Sequence, residues 1–255
     1  MNAEPAQSIL LPDVTLLCGG LGTRLRGVIA DRPKVLAPVA GKPFLAWVLD
    51  RLATQGFKRV ILCTGFLAEQ IEAEFGAEYK ELDLEYSLEP SVLGTGGALR
   101  HALPLIESPS TLIMNGDSYC HVDLVQFCLG HDHSHALASM VLVNVDDSGR
   151  FGSVKQDGAG RVLAFQEKTA SAVPGWINAG IYLINRSLLH EIPAGKISSL
   201  ERDYFPPWIN RGLRGFTTEG PFIDIGTPES YASAEAFFQA KPAAALLPIP
   251  AFNAS

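Results

Sequence analysis

No stretch of about 18 consecutive apolar residues, the length a membrane-spanning helix needs, occurs in this chain. The opening MNAEPAQSIL has neither the basic cluster nor the apolar core of a secretion signal. Charge is scarce as well: 18% of the residues are charged and the balance is −7. A net acidic chain has no field to hold nucleic acid or an anionic membrane surface, so neither is expected as a partner. Cysteine is limited to Cys18, Cys63, Cys120 and Cys128, with no CxxC spacing. They lie in or beside apolar segments, as reduced cytosolic thiols do, and the cytoplasm is the expected compartment. No Ser-His-Asp or Cys-His grouping marks a protein nucleophile. There is no GxxxxGK[ST], and Leu25 stands where GxGxxG needs its third glycine, which excludes the two commonest phosphate-loop motifs.

What is present is apolar and regularly spaced. Of the 255 residues, 47% are hydrophobic, enough for one large core. The first half alternates strand and helix signals: strands over 14–18, 59–64, 82–88 and 111–115, helices over 43–55, 67–75 and 96–106, and a helix to Leu129 that Asp123 caps. That alternation implies a parallel sheet with right-handed crossovers. Beyond Leu137 short strands separated by glycine turns predict a mixed, partly antiparallel part, then a helical 199–209 and a last helix over 228–239 with Pro228 in its first turn. The expected organisation is one α/β domain over 1–240, with halves of about 12–135 and 136–240, and a loosely held Ala- and Pro-rich tail over 241–255.

The local signal that points to chemistry is Cys18-Gly19-Gly20-Leu21-Gly22-Thr23-Arg24-Leu25, placed directly after a strand. Glycines let such a turn aim its N–H groups at an anion, and Arg24 adds a forked cation suited to phosphate oxygens. Arg24, Arg26, Arg32, Lys34 and Lys42 form a local positive cluster with only Asp31 opposing it.

From Gly19 to Pro43 the chain resembles the sugar-phosphate nucleotidyltransferases, whose signature is GGxGTRL, then PK, then a GKP-type helix start. Asn115-Gly116-Asp117, Glu167-Lys168, Asn178-Ala179-Gly180 and Asp224-Ile225-Gly226-Thr227-Pro228-Glu229 extend the resemblance, in order, over roughly 12 to 235. It implies a Rossmann-like fold, with a mostly parallel sheet, helices on both faces and a smaller mixed sugar-binding part. It also implies an enzyme that joins a nucleoside triphosphate to a sugar 1-phosphate. Catalysis would fall to Arg24, Lys34 and Asp117. The nucleotide would lie against Cys18, Gly19, Gly20, Gly22, Thr23, Glu89, Leu93, Gly94, Thr95 and Gly116. The sugar phosphate would meet Gly152, Glu167, Lys168, Asn178 and Gly180. Asp117 and Asp224 would hold Mg2+, a cation that prefers one or two carboxylates plus substrate phosphates.

Glu89 heads the segment that corresponds to the base-reading loop. A carboxylate only accepts hydrogen bonds, so it suits the paired N–H donors of guanine and repels the O4 of uracil or thymine. GTP is therefore expected, with cytosine the nearest rival base. Among the family's branches the likeness is greatest to the D-glycero-α-D-manno-heptose 1-phosphate guanylyltransferases, carried by Asp31-Arg32-Pro33-Lys34, Lys42-Pro43-Phe44-Leu45, Arg150-Phe151-Gly152-Ser153-Val154 and Phe222-Ile223-Asp224-Ile225-Gly226. The product would serve surface polysaccharide or glycan synthesis, and a homo-oligomer stays open. Three alternatives stand beside this: a mannose 1-phosphate guanylyltransferase, a uridylyl, thymidylyl or cytidylyl relative, and a silent nucleotide-sugar-binding regulator. A glycosyltransferase is disfavoured because Asn115-Gly116-Asp117-Ser118-Tyr119 lacks a second Asp. His131, His133 and His135 are expected in a solvated connection after a helix, not at a metal.

Overall fold

The computed structural model describes residues 10–20, 22–25, 27–148, 151, 153–166 and 173–240. The first half runs β1 (Asp13–Leu17), β2 (Pro38–Val39), β3 (Lys42–Pro43), α1 (Phe44–Thr54), β4 (Arg59–Thr64), α2 (Ala68–Phe75), β5 (Glu78–Tyr79), β6 (Leu82–Leu88), α3 (Gly94–Ala102), β7 (Ser110–Asn115), β8 (Ser118–Cys120) and α4 (Leu124–Ser134). The second half adds β9 (Ala138–Val145), β10 (Ser153–Gln156), β11 (Val162–Gln166), β12 (Gly175–Asn185), α5 (Arg186–His190), a π-helical turn Leu200–Tyr204, α6 (Phe205–Ile209), β13 (Arg214–Thr218), β14 (Phe222–Asp224) and α7 (Pro228–Gln239). Among the described residues no helix is long and apolar enough to cross a membrane.

One eight-stranded sheet carries the fold, in the order β13-β9-β12-β7-β1-β4-β6-β5. β1 pairs in parallel with β4 and β7, and β4 with β6, while β12 runs antiparallel to both β7 and β9. β9, β12 and β13 thus extend the sheet begun by the first half, and the β2–β3, β10–β11 and β8–β14 ladders stand outside it as small antiparallel pieces. Both faces of the sheet are covered. In β4, Val60 and Leu62 join one apolar cluster, with α1 and α2, while Ile61 and Cys63 join the other, with α3. This two-sided burial is why the central strands read as unbroken apolar runs.

Local sequence accounts for most element ends. Pro43 precedes α1, and Gly56 at φ +86° follows it, a backbone region that glycine enters at little cost. Pro228 and the Thr227–Ser230 capping box start α7. The expected helix over 199–209 is instead a π-helical turn followed by α6, because Pro206 and Pro207 cannot donate to the preceding turn.

The histidine segment also differs from expectation. α4 continues to Ser134, so His131 lies inside a helix and is 2% exposed. Its ring nitrogens meet Ser139 Oγ at 2.8 Å and Asn185 Oδ1 at 3.2 Å. The strands behind it, β9 and β12, supply that polar niche, which no local pattern announces. Among the described residues no group of three or more metal-ligating side chains gathers.

Another buried group sets the position of the site. Arg51 of α1 is 6% exposed and donates to the carbonyls of Cys120 and Val122, fastening the end of β8 to the helix layer.

Asp123 caps α4, its Oδ1 accepting from Gln126 N–H at 2.9 Å. Asp123→Ala should cost about 1 kcal/mol and lower the unfolding midpoint by about 2–4 °C. An unchanged midpoint in a thermal melt would show that the cap is redundant.

Candidate active site

The carboxyl ends of β1, β7 and β6 open together on one cleft of about 210 Å³, where open parallel sheets generally present their ligands. Cys18, Gly19 and Gly20 line it from the β1 turn, Asn115 and Asp117 from the end of β7, Glu89 and Val92 from the loop after β6, and Gly94 and Thr95 from the start of α3. Lys34 enters from a 3₁₀ turn (Lys34–Leu36) that follows Pro33.

The β1 and β7 ends are held close. Gly116 N–H donates to Leu17 O at 3.0 Å, and a Cβ on Gly116 would lie 2.8 Å from Cys18 Sγ. Only glycine allows that approach. Burial, helped by the charge of Asp117, pushes the Cys18 thiol far up, so it stays protonated and packs rather than reacts.

Lys34 and Asp117 form an ion pair inside the cleft, with side chains 15% and 30% exposed. A Cβ on Gly22 would sit 3.3 Å from Lys34 Cβ, so the glycine turn folds over the lysine stem. Asp224 arrives from far along the chain: β14 pairs antiparallel with β8, placing Asp224 opposite Ser118, and Ile225 N–H donates to Asp117 O at 2.9 Å. Asp224 Oδ1 accepts from Gly226 N–H at 2.6 Å, and its Oδ2 takes no hydrogen bond among the described residues. Asp224 does not itself line the cleft, but its strand end is bonded to Asp117. Two carboxylates, with no group of three metal-ligating side chains among the described residues, fit a hard divalent cation that completes its shell with substrate phosphates and water.

Glu89 is half-buried. Its Oε2 accepts from Leu93 N–H at 2.9 Å, and its Oε1 occupies the space where a Cβ on Gly19 would be. Burial raises its carboxyl above the ordinary value, against the smaller lowering effects of the Leu93 N–H and of His101. Leu93 itself is buried and contributes through its backbone, its carbonyl accepting from Ser198 N–H at 2.9 Å.

The remaining expected residues divide. Thr23 and Arg24 lie exposed on the turn after Gly22 and do not line the cleft. Gly180, at φ +72°, backs onto Asn115, whose Nδ2 would be 2.6 Å from an added Cβ. Asn178 stands two residues before it, in an irregular stretch of β12 where the pairing with β9 shifts register. Its Oδ1 accepts from Gly180 N–H at 2.9 Å and its Nδ2 donates to Tyr182 OH at 2.8 Å. Gly152, Glu167, Lys168, Arg26 and the 241–255 tail fall outside the described residues.

Two features went unread in the sequence. Asn115 lines the cleft, although the Asn115-Gly116-Asp117 motif by itself points to Gly116 and Asp117. The segment 196–204 packs onto the start of α3, where a Cβ on Gly94 or Gly97 would come within 2.5 Å of the carbonyls of Ser198 or Lys196. Gly94, Gly96 and Gly97 are therefore glycines for packing. Glycines clustered in a helix start are the signal that something must press against them.

A glycine-lined turn, a lysine, a carboxylate pair and a base-sized cleft at the ends of parallel strands define an α/β protein built to hold a nucleotide. The chain belongs to the nucleotidyl transferase family, whose pattern matches residues 14–241. It is 35% identical over 224 residues to the D-glycero-α-D-manno-heptose 1-phosphate guanylyltransferase of Aneurinibacillus thermoaerophilus, covering 88% of this chain and 96% of that one. It is 37% identical over 228 residues to a mannose-1-phosphate guanylyltransferase of Mycobacterium tuberculosis, covering 88% of this chain but only 64% of that longer protein. The crystal structure of HddC from Yersinia pseudotuberculosis superposes with a TM-score of 0.81 at 34% identity, covering 89% of this chain and all of that one, and its complex with GMP-PN with a TM-score of 0.80.

Lys34→Ala should reduce turnover about 100- to 1,000-fold, the usual effect of removing one preorganised charge from a transition state. The fold should survive, because Asp117 keeps partial access to water. Near-normal rates would remove Lys34 from the chemistry. Glu89 generates a pH prediction. Its folded carboxyl titrates above its unfolded one, so its destabilising contribution is absent below the unfolded range and complete above the raised folded value. Glu89→Gln should therefore gain stability relative to the wild type between about pH 4 and pH 7; a stability difference independent of pH in parallel melts would contradict this.

Proposed function

We propose that this chain transfers a guanylyl group from GTP to a sugar 1-phosphate, giving a GDP-sugar and pyrophosphate. The observation that carries the reading is the Lys34–Asp117 pair beside a glycine-lined turn, with Glu89 on the same cleft and the Asp224 strand end bonded to Asp117. In the reaction an oxygen of the sugar phosphate attacks the α-phosphorus in line. The bond from that phosphorus to the bridging oxygen of the β-phosphate breaks, and pyrophosphate leaves with the electron pair. Both reactants are anions, so the protein's work is alignment and charge neutralisation.

Lys34 is free to exchange Asp117 for a phosphate oxygen, a short move within one cleft. Arg24, exposed on the turn after Gly22, would close on the β- and γ-phosphates and on departing pyrophosphate. Asp117 and Asp224 would hold Mg2+, which supplies positive charge to the phosphates when bound. Glu89 reads the base: with one lone pair of Oε2 given to Leu93 N–H, the carboxylate retains acceptor capacity for the N1–H and N2–H of guanine. Asn178 and Gly180 would form the acceptor side, and the family resemblance assigns Gly152, Glu167 and Lys168 to the same substrate.

D-glycero-α-D-manno-heptose 1-phosphate is the favoured acceptor, supported by a chain that matches a heptose enzyme over 96% of its length. Mannose 1-phosphate is the second reading, favoured by 37% identity to the mycobacterial protein. Pyrophosphate release should be measured across GTP, ATP, CTP and UTP, each paired with heptose, mannose, glucose and N-acetylated sugar 1-phosphates. GTP with the heptose should turn over fastest and should stop in EDTA. Full turnover in EDTA, or preference for another base, would reject the corresponding part of the reading. Glu89→Gln should shift preference toward UTP or dTTP, and unaltered selectivity would remove Glu89 from base recognition.

A further inference from the structure

We propose that Glu201 is a positioning residue for the sugar-phosphate acceptor, acting from the π-helical turn through Tyr182 on Asn178. Its carboxylate is the sink for three hydroxyl donors: Thr95 Oγ1 at 2.9 Å, Ser199 Oγ at 2.7 Å and Tyr182 OH at 3.3 Å. The Tyr182 oxygen in turn accepts from Asn178 Nδ2 at 2.8 Å, and Asn178 Oδ1 accepts from Gly180 N–H at 2.9 Å. Tyr182, in the middle of this path, is 1% exposed, while Thr95, Glu201 and Asn178 are half-buried. One unbroken row of hydrogen bonds thus runs from Thr95, on the wall of the nucleotide cleft, to the Asn178-Ala179-Gly180 stretch behind Asn115.

The direction of every proton in that row follows from the charge at its centre. A carboxylate only accepts, so Tyr182 must donate to Glu201 and can then only accept from Asn178. That fixes which end of the Asn178 amide faces Tyr182 and leaves the carbonyl end to hold Gly180. Thr95 is oriented the same way: it accepts from Leu200 N–H at 2.8 Å and sends its own proton to Glu201. An amide in place of the carboxylate brings donors of its own. If its NH₂ faces Tyr182, the phenol proton must turn to Asn178, and the Asn178 amide reverses. If its NH₂ faces Ser199 and Thr95, those hydroxyls lose their acceptor. Glu201 touches no reacting atom; it sets the polarity of the group that does. This rests on the guanylyl-transfer reading, in which Asn178 and Gly180 meet the acceptor.

The test uses the full chain with Glu201→Gln, Tyr182→Phe and Ser199→Ala, the last removing another donor to the same carboxylate without touching Asn178. Steady-state rates are taken with GTP and the best sugar 1-phosphate of the screen, and the side-chain amide resonances of Asn178 are followed by ¹⁵N NMR. Glu201→Gln and Tyr182→Phe should each raise the KM for the sugar phosphate about tenfold, the effect of one misdirected hydrogen bond. The KM for GTP should stay within about twofold of wild type in Tyr182→Phe, and should rise less than that for the sugar phosphate in Glu201→Gln, which also faces Thr95. Both should shift the Asn178 amide resonances, while Ser199→Ala should do neither. Equal rises in both KM values, an equal effect of Ser199→Ala, or unmoved Asn178 resonances would each overturn the proposal. Should Glu201→Gln fail to fold, Tyr182→Phe, which keeps the ring, carries the test. Should the wild type turn over no substrate pair, the transfer reading falls, and the Asn178 resonances still decide whether Glu201 orients that amide.

Discussion

The Gly116-Asp117 dipeptide is tied at both ends, and the site is built around it. Its glycine N–H is bonded to Leu17 O, and its aspartate carbonyl accepts from Ile225 N–H. Each such bond contributes only about 1 kcal/mol. Their geometric effect is larger, because they join the end of β1, the corner after β7 and the end of β14 at one point. The phosphate turn, the Lys34–Asp117 pair and the second aspartate all depend on that junction. Arg51 supports it from behind, spending a buried guanidinium on the carbonyls of Cys120 and Val122 instead of on a carboxylate. A buried cation with carbonyl partners is costly to desolvate. Its placement ties the helix layer to the same corner.

The glycines of this chain serve two kinds of constraint. Gly19, Gly20 and Gly22 belong to a turn that wraps a cleft and a lysine stem. Gly94, Gly96 and Gly97 make room instead for a segment about a hundred residues later in the chain, as the positions of Ser198 and Lys196 dictate. The stretch after Glu89 thereby gains a second partner: the segment that lines the cleft is also the one on which 196–204 rests. Thr95 stands at the junction, lining the cleft with one side and bonding Glu201 with the other. The two halves of the domain therefore share polar contacts as well as a continuous sheet.

Much of the architecture was legible in the amino-acid order. Unbroken apolar runs and period-3.6 patterns located the long strands and helices, while the two- and three-residue strands β2, β3, β5 and β8 carried no such signal. Gly56, Asp123 and Pro228 marked ends that the structure keeps, because caps and breakers act within a few residues. The glycine turn, the basic run after it and the two Asp-bearing strand ends were also visible as patterns. What the order of residues could not supply was proximity. That Asp224 meets Asp117 through the β8–β14 ladder, that Lys34 spends its charge on Asp117, and that His131 is sealed against Ser139 and Asn185 all arise between segments far apart in the chain. The same holds for Glu201, an unremarked acid in a stretch that reads as a helix start until Thr95, Ser199 and Tyr182 are seen around it. Local chemistry writes the elements because backbone hydrogen bonds and side-chain periodicity are satisfied over short spans. The site was decided by tertiary structure, because charges and hydroxyls take their partners from whatever the folded sheet brings within about 3 Å.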